Sequence, residues 1–339
     1  MNRILPFLIL LALASCSPRF KVLEEERRDG YSCKLIEYPV GDDLVQAFLL
    51  VPDGAARRSK APALVLLHDH GARFDIGKEK LVRPLPRAGE NIKRSARQWN
   101  EDNFDGSWLG DSLARRGFVV IVPDMLYWGS RSTALCQKWS RMKFCGEPGD
   151  LKAVKKEVYE GQRAVFDSLQ TRGIVWAEQT LREDEAAAEI LAGLPYVDEA
   201  RIGAFGWSMG AHRCWLLAGF SPLVRTGAAL SWMTLVQTCA DPPTASDFSM
   251  MIPELREKYD FPDIARKLAP KPFLFLSGTQ DKLFPAWAVE QAFARMQEIY
   301  AAEGAPNALH TEFFDGSHHC GLEVQRRVTE FLESELTLR

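Results

Sequence analysis

The chain has 339 residues, 46% of them apolar and 26% charged, the proportions of a globular protein rather than of a disordered chain, a collagen or a coiled coil. A net charge of −3 draws the whole molecule neither to nucleic acid nor to an anionic bilayer, so any electrostatic steering is local. A chain this long builds a core without staples.

At the amino terminus Arg3 precedes an apolar run over 4–14, interrupted only by Pro6 and too short to span a bilayer as a helix. Residues 1–15 read as a signal peptide. The run ends in Leu13-Ala14-Ser15-Cys16, which resembles the lipobox of bacterial lipoproteins. That resemblance implies cleavage before Cys16, a lipid on its thiol, and a membrane-anchored protein in the bacterial cell envelope, facing the periplasm. The competing reading is an ordinary secretory signal. Residues 16–30 would form a polar tether and 31–339 one domain. Six cysteines remain in an oxidising compartment, and Cys136 with Cys145, flanking a short segment next to Gly146, is the pair best placed for a disulfide. No cysteine pair has metal-ligand spacing with a histidine, so neither metal nor organic cofactor is expected.

Over residues 31–51 two apolar runs flank Gly41-Asp42-Asp43, a β-hairpin pattern. Short runs rich in Val, Leu and Phe follow at 63–68, 118–123, 201–205, 228–233, 272–277 and 309–314, as in strands buried on both faces. Helical stripes lie between and after them: Val154, Val158, Val165, Phe166 and Leu169 form one, and Val324, Val328, Phe331, Leu332 and Leu336 another. Such alternation predicts an α/β fold, a mostly parallel sheet with helices on both faces and an antiparallel hairpin at its edge. Two connections are long, 71–108 and 236–262. The first carries Arg73, Lys78, Lys80, Arg83, Arg87, Lys93, Arg94 and Arg97 against only Asp75, Glu79 and Glu90. It reads as a basic surface, with Arg73 a candidate contact for an acidic substrate.

The segment most informative about chemistry is Gly206-Trp207-Ser208-Met209-Gly210, a G-x-S-x-G pattern between a predicted strand and a predicted helix. A serine at so tight a turn is held exposed above the sheet, with glycines where a Cβ would collide. A serine hydroxyl needs a base, and the base an orienting acid. Downstream, Asp281 follows one strand, and His318-His319 lies between the last strand and the last helix. The order Ser, Asp, His suits this topology. His319 is the alternative base. His68 and His70 read as structural residues at the end of the first parallel strand, and Cys214 as a buried hydrophobe.

With the GWSMG turn, Asp281 in a G-x-x-D-x-x-x-P loop, His318 in a G-x-H loop and Leu67-His68-Asp69-His70-Gly71, residues 30–337 resemble the α/β-hydrolase superfamily. The closest likeness is to its dienelactone hydrolase, acetyl xylan esterase and prolyl-oligopeptidase-like branch. The resemblance implies Ser208 as nucleophile, His318 as base then acid, Asp281 as the group orienting it, and an oxyanion hole from the backbone N–H groups of Met209 and Ala72. It also implies hydrolysis of a small or glycan ester. Trp128, Trp207 and Trp232 fall just past predicted strand ends, near the face where Ser208 points, and aromatic planes there, Trp207 and Trp232 in particular, suit a sugar ring. No nucleic-acid partner is expected. A prolyl-oligopeptidase-like peptidase, or a silent binding member of the fold, are the other readings. The first usually carries a large propeller domain, for which this chain has no room.

Overall fold

A computed structural model describes residues 20–240, 244, 247–253 and 257–337, so the signal segment and Cys16 lie outside the described residues. The chain enters the sheet through β1 (Lys21–Arg28), β2 (Tyr31–Val40) and β3 (Asp43–Pro52), paired antiparallel. The parallel part follows, with β4 (Ala61–Leu67), β5 (Val119–Pro123), β6 (Val197–Trp207), β7 (Thr226–Leu230), β8 (Phe273–Gly278) and β9 (Leu309–Phe314). Strand order is β1-β2-β3-β5-β4-β6-β7-β8-β9. The expected α/β architecture is present, with its antiparallel hairpin joined to the edge of a parallel sheet.

One strand was not expected. β1 falls inside the segment read as tether, because Glu24, Glu25, Glu26, Arg27 and Arg28 show no apolar alternation. It is an edge strand, where charge protects against pairing with another chain. Its last residue turns inward instead: Arg28 Nη1 donates to Asp111 Oδ1 at 2.8 Å.

Among the described residues the α-helices are α1 (Glu90–Phe104), α2 (Leu109–Arg115), α3 (Ala134–Cys145), α4 (Leu151–Thr171), α5 (Trp176–Gly193), α6 (Met209–Phe220), α7 (Ala265–Leu268), α8 (Ala286–Ala302) and α9 (Leu322–Leu336). Strand parity sorts the core into two layers. On β4, Ala63, Val65 and Leu67 pack with residues of α5, α6 and α8. Leu64 and Leu66 point the other way, into a cluster with Phe104, Leu113 and Val328 from α1, α2 and α9. A third cluster joins α3 and α4 to Phe74, Met125 and Trp128 beyond the strand ends.

Two expectations are corrected by this packing. Cys136 and Cys145 are free thiols, because both lie on α3. Nine helical positions separate them by about 13 Å of rise, far beyond the ~7 Å a disulfide tolerates. The basic connection after β4 is corrected in part: Lys78 and Lys80 are buried, while Arg83, Arg87, Arg94 and Arg97 stay exposed as a basic surface. Lys78 Nζ meets Asp124 Oδ2 at 2.6 Å and Glu79 Oε1 at 2.9 Å. Burial opposes its charge, but these carboxylates outweigh it and hold the ammonium above its ordinary range.

Candidate active site

Between β6 and α6 the chain turns within one residue. Ser208 sits there at φ 56° and ψ −127°, a backbone that costs of order 1–3 kcal/mol and persists only when its surroundings enforce it. They do so by close approach. A Cβ on Gly206 would lie 1.9 Å from the Gly210 carbonyl oxygen, and one on Gly210 would lie 1.9 Å from the Leu67 carbonyl oxygen. Ser208 N–H donates to Leu230 O at 2.8 Å, tying the turn to β7. The side chain opens onto a cavity of 650 Å³. Met209 begins α6, where the first amides have no acceptor within the helix.

Two loops beyond β8 and β9 bring the acid and the imidazole to this cavity. They close on one another because Gly278 has no side chain; a Cβ there would meet the Gly316 oxygen at 2.4 Å. Thr279 N–H to Phe314 O (3.0 Å) and Gln280 N–H to Gly316 O (2.9 Å) fasten them. Asp281 is buried. Its Oδ1 accepts from the N–H groups of Leu283 and Phe284 at 2.8 and 3.3 Å, and its Oδ2 lies 2.7 Å from His318 Nδ1. The His318 ring is stacked 5.9 Å from Phe284 and lies 5.3 Å from Trp207. His318 and Ser208 line the same cavity. His319 turns away, with Nε2 2.9 Å from Asp105 Oδ1. The Leu322 N–H and then His319 hold the Asp105 carboxyl below its usual range.

Across the cavity lies the turn after β4. His68 is fully buried, bonded at Nδ1 to the Asp69 carbonyl (3.0 Å) and at Nε2 to the Met125 N–H (3.2 Å). Burial pushes its pKa well below 6.5, so it is a neutral structural residue. Ala72 has φ 50° and its N–H, the expected oxyanion donor, donates to His70 Nδ1 at 3.1 Å. On the other side of the ring, Gln162 Nε2 lies 3.2 Å from His70 Nε2.

Lys80 pins the same turn. Its Nζ donates to Asp69 O (2.7 Å), His70 O (2.9 Å) and Asp69 Oδ2 (3.2 Å), while burial lowers its pKa against the pull of Asp69. Lys80→Ala should cost about 3 kcal/mol in stability, since it strands a buried carboxylate and two carbonyls. Urea denaturation of the pure protein measures this, and a loss under about 1 kcal/mol would mean that the pair contributes no more than an exposed one.

Trp207 and Trp232 line the cavity as expected, joined by Trp99, Asn103, Tyr159 and Leu283. Trp128 does not line it; its buried ring donates from Nε1 to His70 O at 3.0 Å. Arg73 is not among the described residues lining the cavity; its guanidinium lies 4.9 Å from the Phe144 ring and 5.6 Å from the ring of the cavity residue Trp99, and donates to Ser95 Oγ at 2.9 Å. Sequence reading missed Lys155, whose Nζ donates to Ala72 O. Its only sequence trace is the cationic spacing of Lys152, Lys155 and Lys156 on an amphipathic helix.

The family model of dienelactone hydrolases matches residues 101–330, two of the three loops that meet at Ser208 included. The chain belongs to the dienelactone hydrolase family. It is accordingly a hydrolase. YtaP of Bacillus subtilis (strain 168), named as a hydrolase, is 21% identical over 316 residues, covering 92% of this chain and 90% of the relative. Among solved structures, a Bacteroides fragilis protein named as an acetyl xylan esterase superposes with TM-score 0.65 at 17% identity, over 89% of this chain and 71% of that one. A glucuronoyl esterase from Solibacter usitatus gives TM-score 0.59 at 12% identity, over 94% and 86%. These two likenesses share the family's fold.

Proposed function

We propose that this member of the family is a serine carboxylic ester hydrolase that deacylates a carbohydrate or related small ester through an acyl-enzyme. The observation that carries the reading is the 2.7 Å pairing of His318 Nδ1 with Asp281 Oδ2 on the cavity into which Ser208 opens. With Nδ1 bonded to a carboxylate, the imidazole has Nε2 free to take the Ser208 proton as Oγ attacks the ester carbonyl. The Met209 N–H, at the positive end of α6, stabilises the developing oxyanion. Ala72 N–H becomes the second donor by exchanging its His70 partner for that oxyanion. His318 then returns the proton to the leaving alcohol, and water releases the acyl group by the same steps in reverse. The indole walls of Trp207 and Trp232 suit the apolar face of a sugar ring.

A fluorophosphonate probe should label Ser208, found by peptide mapping, and p-nitrophenyl acetate should be hydrolysed faster than the octanoate. Labelling elsewhere, or none together with no ester turnover, rejects the reading in favour of a silent binding protein. The reading extends to the cell envelope through the lipid expected on Cys16. Cys16→Ala should then move the protein from the membrane pellet to the soluble fraction; continued sedimentation would place the attachment elsewhere.

A further inference from the structure

Tyr159 and Thr244 line the cavity at Ser208. Both residues also line a second cleft, of 830 Å³, running along α4. Lys152, Lys155, Lys156 and Arg163 of α4 face it, with Lys143 from α3, and Glu160 is the only carboxylate among its described lining residues. The α4 positions recur at three- and four-residue spacing, so they form one face of the helix. Their local neutralisation is weak. Lys156 lies 3.5 Å from Glu160 and Arg163 3.7 Å from Asp167, and all four side chains are exposed, where such pairs contribute little.

The floor beneath these cations is aromatic. Lys155 Nζ lies 4.1 Å from the Trp139 ring and 5.3 Å from Tyr159, and the Arg163 guanidinium is 5.6 Å from Phe248. Lys152 sits in the first turn of α4, which has no acid there beyond the Asp150 cap. The helix dipole is positive there and disfavours cations. Residues that break a local preference cluster where function demands it. Burial also pushes the Lys155 ammonium down to about 8, with Asp75 opposing, while its bond to Ala72 O joins the cleft to the turn facing Ser208.

We propose that this cleft is a subsite for the anionic segment of the substrate: a glycan chain carrying carboxylates, whose ester-bearing residue lies at Ser208. Carboxylates along the chain meet the lysine and arginine heads, and sugar faces lie on the aromatic floor. A chain fits better than a point anion because the cleft adjoins the catalytic cavity, the two sharing Tyr159 and Thr244. A basic face thus lies on α4 as well as on the exposed arginines after β4, where Lys78 and Lys80 are buried in internal pairs.

The proposal rests on the esterase reading, and two experiments separate them. The first measures binding of de-esterified oligogalacturonate to the full chain carrying Ser208→Ala, by calorimetry in low salt. Binding should be saturable, weaken about tenfold in Lys152→Glu/Lys156→Glu, and vanish in about 1 M sodium chloride, where charges are screened beyond about 3 Å. No binding, or equal binding of neutral xylo-oligosaccharide, overturns the subsite whatever the esterase activity. The second compares acetylated galacturonate and acetylated xylose oligosaccharides as substrates. The ratio of their kcat/KM values should favour the charged ester and fall about tenfold in the double variant. A ratio within about twofold of the wild-type value, in a variant with wild-type circular dichroism, overturns the subsite. Retained oligogalacturonate binding with no ester turnover overturns the esterase reading alone.

Discussion

Ser208→Ala should lower ester hydrolysis by at least about 10⁴-fold while leaving the fold intact. The hydroxyl packs against little: Ser208 is half-buried at the mouth of the cavity, and the turn is held by backbone bonds and glycine contacts rather than by Oγ. The strained φ of 56° is shared by serine and alanine, both of which carry a Cβ, so the elbow keeps its shape. Thermal unfolding should shift by no more than a few degrees, and p-nitrophenyl acetate turnover should drop to the level given by the oxyanion donors alone. Turnover within about tenfold of wild type would remove Ser208 from the chemistry.

The second large effect separates two adjacent histidines. His318→Ala should cost about 10⁴-fold or more in kcat/KM, because no other imidazole is paired with Asp281. His319→Ala should cost less than about twofold, because its ring turns to Asp105 at 2.9 Å, an exposed pair worth at most about 1 kcal/mol. Acylation rates from stopped-flow release of p-nitrophenol distinguish the two variants. Equal losses, or a greater one for His319, would shift the assigned base by one residue.

The candidate site was legible in large part because its geometry is local. Gly206 and Gly210 are required by contacts within a five-residue turn and with the neighbouring β4, and a strand-to-helix G-x-S-x-G is readable from spacing alone. Asp281 and His318 were readable because each follows directly on a predicted strand. β4, β5, β7 and β8 stood out as runs buried on both faces, whereas β9, at the other edge of the sheet, leaves His310 and Glu312 exposed. β1 did not stand out, since its charged edge carries no periodic signal and its pairing with β2 supplies the order.

Charge was where sequence reading failed, and for one reason. Whether a lysine is a solvated rim or an internal pin depends on what lies across the fold from it. Asp124 is 46 residues from the Lys78 it neutralises, and Lys80 is buried under the turn that it holds. The sequence by itself determined the sheet, the nucleophile turn and the order of the three polar residues around it, since short-range sterics and burial periodicity decide those. The tertiary structure alone decided which lysines after β4 are buried, that Cys136 and Cys145 cannot reach one another, and that a basic cleft along α4 shares Tyr159 and Thr244 with the cavity at Ser208. Each depends on the distance between groups brought together only by packing, and neither composition nor spacing encodes that distance.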